Sequence, residues 1–222
     1  MKIWVDETHS VSGLLQAPPD ALACLVLAHG AGAGMEHPFM TALADGLVVR
    51  KIASLRFQFP YMEAGGRRPD RAQLAQATVR AATTLASEVL SRVPLLAGGK
   101  SFGGRMASQA QAEEALPYVR GLVFFGFPLH PAGKPSIGRA EHLAQIRLPM
   151  LFLQGTRDAL AELPLLRATV VGLGKRATLV TTDQADHSFH VPAKSGRSDD
   201  DVLQEVLDRA AGWIRQVVEN AP

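Results

Sequence analysis

The chain has almost no cysteine. Cys24 is the single thiol among 222 residues, so no disulfide can close within the chain and no cysteine cluster can hold a metal. It lies inside the apolar run Leu22–Ala28, which marks it as a small core residue rather than a reactive thiol. A single cysteine fits a reducing compartment. An excess of one charge is missing as well. Lys and Arg number 23 against 21 Asp and Glu, a formal net charge of +2. Arg67 and Arg68 make only a short basic pair, read as a solvated loop, so the electrostatic footprint of a nucleic-acid binder is absent. Long apolar runs are also lacking, and nothing approaches the roughly 18 consecutive apolar residues of a membrane span. The apolar start of the chain is cut short by Asp6 and Glu7, which does not suit a secretory signal. The expectation is a cytoplasmic protein with no membrane partner.

Hydrophobic residues supply 47% of the chain and charged residues 20%, as in a soluble globular protein with a sizeable core. The length suits a single domain over residues 1–222. Short apolar runs recur at Leu22–Ala28, Ile52–Phe57, Pro94–Ala97, Gly121–Phe125, Met150–Gln154 and Ala177–Thr181. Most do not alternate with polar residues, which suits strands covered on both faces, as in a parallel sheet. Helical patterns fill residues 38–50, 70–92, 103–115, 160–171 and 199–219. The last carries an apolar stripe through Val202, Val206, Ala210 and Ile214, preceded by Asp199, Asp200 and Asp201, as a helix N-terminus prefers. Strand–helix alternation predicts an α/β fold, a mostly parallel central sheet with helices on both faces. The Pro-rich stretch 127–136 reads as a long loop between a strand and a short helix. No large insertion for a lid is evident.

Gly99-x-Ser101-x-Gly103 stands between the strand candidate ending at Ala97 and the helix candidate that follows. The pentapeptide alone is weak. Strand, sharp turn and helix together are what a nucleophile elbow requires. Such a turn lifts the serine hydroxyl above the sheet, and crowding at the positions two before and two after it admits only very small side chains. The helix that follows points its positive end at the site. Gly99-Lys100-Ser101 also resembles the end of a phosphate-binding loop, but Pro94 stands where that motif needs glycine, and Leu95–Ala97 reads as strand.

A serine hydroxyl needs a base, and the base needs an orienting acid. On sheets that carry this elbow the chain order is serine, acid, histidine. Asp158 follows the strand Met150–Gln154, at the strand ends where α/β proteins bind ligands. It could equally cap the helix after it. His187 lies just past the last strand. His190 is its runner-up, and Asp183 or Asp186 could replace Asp158. His29-Gly30-Ala31-Gly32-Ala33 after the first apolar run should offer backbone N–H groups to an oxyanion: Ala31, with Gly32 as a further candidate, and Phe102 from the elbow. His29 reads as a loop organiser. Arg67, Arg68 and Arg105 either favour an acidic substrate group or are surface charges.

Taken together, these segments resemble the α/β-hydrolase superfamily, and within it the small dienelactone-hydrolase-like bacterial hydrolases. The resemblance rests on His29–Ala33, Arg56–Glu63, Gly98–Arg105 and Pro128–Pro131, and spans nearly the whole chain. It implies the α/β-hydrolase fold, a Ser101–Asp158–His187 triad and hydrolysis of a small acyl substrate without metal or organic cofactor. The chain departs from dienelactone hydrolase proper in having serine rather than cysteine at the elbow. Phe59–Met62 and Pro128–His130 either wall the pocket or pack the loops. Oligomeric state is open, and the rival reading is a non-catalytic binding module that keeps the fold.

Overall fold

The computed structural model describes residues 1–220. Its strands are β1 (Lys2–Trp4), β2 (Ser10–Gln16), β3 (Ala23–Ala28), β4 (Ile52–Phe57), β5 (Leu95–Lys100), β6 (Val119–Phe125), β7 (Met150–Gly155) and β8 (Ala177–Thr182). They form one eight-stranded sheet in the order β1-β2-β4-β3-β5-β6-β7-β8. From β4 to β8 every neighbouring pair is parallel, while β1 with β2 and β2 with β4 are antiparallel. The helices are α1 (Pro38–Val49), α2 (Pro60–Glu63), α3 (Ala72–Val89), α4 (Phe102–Glu113), α5 (Leu163–Leu173) and α6 (Asp199–Glu219), with a 3₁₀ segment at Gly138–Gln145. No lid domain interrupts this alternation among the described residues.

The six apolar runs of the sequence are β3 to β8. In β3, β4 and β7 every residue is buried, because helices cover both faces. Side chains alternate across the sheet. Cys24 and Val26 of β3 join the core under α3, α4 and α5, whereas Leu25 and Leu27 join the core under α1 and α6. Burial pushes the Cys24 thiol up to about 12, as befits an inert core residue. The antiparallel pair β1 and β2 was not expected. Only Ile3, Val11 and Gly13 of the pair are buried, and Ser10-Val11-Ser12-Gly13 is mostly polar and small, so no apolar run marks it.

Helix α6 buries the expected stripe, and Ser198 and Asp201 close a capping box at its start. Helix α4 begins at Phe102, one residue earlier than the pattern suggested, because the chain turns at Ser101 itself. Phe124, Phe127 and Phe152 pack edge-on or tilted beneath the strand ends, with centroids 4.8 to 5.7 Å apart. All three are fully buried. Phe152→Ala is expected to lower stability by about 3–5 kcal/mol, read as a shifted urea midpoint at unchanged slope.

Candidate active site

The site sits at the carboxyl ends of β3, β5, β7 and β8. Strand β5 ends in Lys100 and runs into α4 through Ser101, whose φ of 51° and ψ of −114° lie outside the ordinary basins. Such a conformation costs on the order of 1–3 kcal/mol and is tolerated only where the surroundings enforce it. The enforcement comes from close backbone approach. A Cβ on Gly99 would lie 2.1 Å from the Ala28 carbonyl oxygen, and one on Gly103 would lie 2.4 Å from the same atom. Both glycines run against the backbone at the end of β3.

The turn presents the Ser101 hydroxyl to His187. Oγ and His187 Nε2 are 2.8 Å apart, and His187 Nδ1 is 2.6 Å from Asp158 Oδ2. A carboxylate can only accept, so Nδ1 carries the proton and Nε2 is free to accept from the hydroxyl. Asp158 is buried. Its carboxylate also accepts from the Leu160 N–H at 2.7 Å and from the Gln154 side-chain amide. Gln154 is held in turn, because its oxygen accepts from the Phe127 N–H at 2.9 Å. Asp158 thus braces the turn after β7 but is not the cap of α5, which starts after Glu162. Sequence reasoning missed Gln154. The available signal was an amide ending an otherwise apolar strand.

The rival residues have other work. Asp186 accepts from the Ser188 and His190 N–H groups and shapes the loop that carries His187. Asp183 meets the Thr156 hydroxyl at 3.3 Å, and His190 pairs with Asp199 on the surface. Among the described histidines, His187 alone joins a serine and a carboxylate through opposite ring nitrogens. His142 also meets a serine, Ser108, at 2.8 Å, but Ser108 is buried and donates to the Arg105 carbonyl, and no carboxylate adjoins the ring.

The glycine-rich loop after β3 faces the same spot. Among the described residues the N–H groups of Ala31 and Phe102 donate to no protein acceptor, while Phe102 opens α4 and lies at its positive end. Gly32 is different: its N–H donates to the Tyr61 hydroxyl at 2.9 Å, which removes it as an oxyanion donor. His29 organises this loop. Its Nδ1–H donates to the Gly30 carbonyl at 2.7 Å, and its Nε2 accepts from the Phe59 N–H at 3.1 Å.

A cavity of about 400 Å³ opens over Ser101 and His187, walled by Ala31, Phe39, Met40 and Leu160. A larger groove of about 630 Å³ between β1 and α3 holds no serine–histidine pair. Phe59, Tyr61 and Leu129 are buried away from the cavity, so their loops pack rather than wall it. Arg67 and Arg68 are exposed, and the Arg105 guanidinium lies 5.9 Å from the Phe102 ring, outside the cavity wall.

Residues 21–215 match the family described as alpha/beta hydrolase domain, and the chain belongs to it. Solved structures share the fold. An alpha-beta serine hydrolase homologue from Coxiella burnetii superposes with a TM-score of 0.75 at 19% identity, covering 94% of this chain and 95% of that one. A dienelactone hydrolase from Anabaena variabilis gives 0.76 at 20% identity, covering 98% and 96%. A serine hydrolase without lid from Xanthomonas campestris gives 0.72 at 20% identity, covering 94% and 93%.

Burial pulls the His29 imidazole down to about 4 from an ordinary 6.5. Between those values the unfolded chain binds a proton that the folded chain refuses. Stability from this group is therefore full above pH 6.5 and falls as pH drops towards 4. The slope is about 1.4 kcal/mol per pH unit. His29→Gln is expected to flatten the stability profile across that window by about one proton, measured by urea unfolding at several pH values.

Proposed function

We propose that the chain is a serine hydrolase of the carboxylesterase kind. Ser101 is the nucleophile, His187 the general base and acid, and Asp158 the orienting carboxylate. The substrate is a small ester or related acyl compound. The observation that carries this reading is the unbroken hydrogen-bonded line from the Ser101 hydroxyl through both nitrogens of His187 to the buried Asp158. The names of structural neighbours described as serine hydrolases support it.

His187 Nε2 takes the Ser101 proton as Oγ attacks the acyl carbonyl. Asp158 holds the Nδ1–H tautomer and stabilises the imidazolium. Negative charge develops on the carbonyl oxygen, and the N–H groups of Ala31 and Phe102 receive it, aided by the α4 dipole. His187 then gives its proton to the leaving alcohol, and the acyl-enzyme remains. Water, deprotonated by the same imidazole, attacks the acyl carbon, and Ser101 recovers its proton as the acid departs. A cavity of about 400 Å³ admits a small acyl chain against Phe39, Met40 and Leu160.

A fluorophosphonate probe is expected to label wild-type protein on Ser101, located by peptide mass spectrometry. Ser101→Ala and His187→Ala should fold and lose the label, and p-nitrophenyl acetate turnover should fall by about ten-thousand-fold. Folded wild type that takes no label at high probe concentration would overturn the reading and favour a binding module.

A further inference from the structure

Lys100 has no part in the acyl-transfer chemistry, yet its side chain is built into the site. It ends β5, in register with Phe125 of β6, and directly precedes Ser101. Its Nζ donates to the main-chain carbonyl of His187 at 2.5 Å. The same ammonium lies 5.9 Å from the centroid of Phe39 and 5.6 Å from that of Phe189. Those two rings are parallel within 2° and 5.9 Å apart, so cation and rings form a nearly equilateral triangle. Among the described residues no carboxylate pairs with Lys100. A buried ammonium is costly, and one carbonyl with two aromatic faces is a partial return.

The loop it grips is strained. His187 lies between two non-glycine residues in the left-handed region, Gln184 (φ 57°) and Phe189 (φ 66°). Several bonds shape this loop. Gln184 N–H donates to the Thr156 hydroxyl, Arg157 N–H to the Ala185 carbonyl, and Asp186 gathers the N–H groups of Ser188 and His190. None of them touches the backbone of residue 187. The bond from Lys100 does. One dipeptide at the end of β5 therefore carries the hydroxyl and also holds the backbone beneath the imidazole that must meet it.

We propose that Lys100 is a positioning residue: its ammonium, set against Phe39 and Phe189, holds the His187 carbonyl and thereby keeps the imidazole on the line between Ser101 and Asp158. The proposal rests on the serine-hydrolase reading for its effect on rate, but the tether itself does not. The charged and titratable groups around the ammonium are Asp158 beyond β7, Asp186 and His187 beyond β8, and His37 ahead of α1 on the shared cavity. Burial pulls Lys100 down to about 8 from 10.5, against the opposing pull of Asp158 and Asp186. Above about 8 the ammonium becomes an amine, a weaker donor that the rings no longer attract. The tether then loosens as pH rises.

The test is the rate of fluorophosphonate labelling at Ser101 across pH, in wild type, K100M and K100R, with amide exchange of residues 184–190 measured on the same samples. Wild-type labelling should fall above about pH 8. Folded K100M should label about ten-fold or more slowly near neutral pH and show no further fall, because a small misplacement of a catalytic group is enough to cost that much. K100R, which keeps its charge, should recover part of the rate and hold it through the pH range in which Lys100 loses its proton. Folded K100M that labels within about two-fold of wild type with the same pH profile overturns the proposal. If wild type takes no label, the hydrolase reading fails and amide exchange decides the tether: faster exchange at 186–189 in K100M sustains it, and unchanged exchange overturns it. If K100M does not fold, wild type alone decides, because labelling and loop protection, taken relative to the intrinsic exchange rate at each pH, that stay flat through the range where Lys100 loses its proton overturn the proposal.

Discussion

The carbonyl oxygen of Ala28 fixes the site. Strand β3 ends there, and both glycines of the elbow pass it at distances that leave space for no side chain. Because β5 lies beside β3 in register, with Gly99 opposite Ala28, the turn after Lys100 has one course open to it. That course forces Ser101 into its positive-φ conformation and aims the first turn of α4 at the place where the hydroxyl emerges. The strain at Ser101 is therefore stored by sheet register, which is among the most rigid features of a parallel core. The Ala31 loop leaves from the same strand end, so the free N–H groups of Ala31 and Phe102 and the Ser101 hydroxyl are gathered at the ends of two adjacent strands.

Two histidines then fasten the surrounding loops by one shared device. His29 donates from Nδ1 to the carbonyl of the next residue and accepts at Nε2 from the N–H of Phe59. His130 donates from Nδ1 to the Pro131 carbonyl and accepts at Nε2 from the N–H of Glu162. Each ring is buried. A carbonyl can only accept and an N–H can only donate, so each ring is held in the Nδ1–H form. Each pins a loop at the end of one strand to a segment near the end of another. His29 ties the β3 loop to the chain entering α2, and His130 ties the β6 loop to the turn after Asp158. Neutral imidazole suits this task because it offers one donor and one acceptor on opposite sides of a rigid ring.

Much of this was legible in the sequence. Continuous apolar runs marked β3 to β8 because strands buried on both faces have no polar side to betray their period. The elbow was legible because its glycines answer a local steric demand. Edge strands β1 and β2 were not, since their pairing depends on β4 and most of their residues stay partly exposed. Lys100 was invisible for a different reason: its partner, the His187 carbonyl, lies in a distant loop, and only the assembled sheet brings the two together. Gln154 left only the signal of an amide at the end of an apolar strand, and its bonds to Phe127 and Asp158 appear once β6 and β7 are side by side. Gly32 was misjudged because nothing local shows that the Tyr61 hydroxyl reaches it.

The division of labour among the aspartates follows from the same geometry. Chain position favoured Asp158, just past β7, over Asp183 and Asp186, which lie in the loop after β8. A loop with left-handed residues on both sides of His187 must satisfy its own N–H groups, and Asp186, inside the loop, is placed to do so. Asp186 turns Oδ1 to those N–H groups and not to the imidazole. The partner of the imidazole comes from a separate element, and the turn after β7 supplies it with Gln154 and the Leu160 N–H already in place. Asp158 stays fixed if the histidine loop shifts, because none of its other bonds belongs to that loop. The imidazole is thus set between two anchors on neighbouring strands, Ser101 beyond β5 and Asp158 beyond β7. What remains adjustable is the backbone beneath it, which is where Lys100 takes hold.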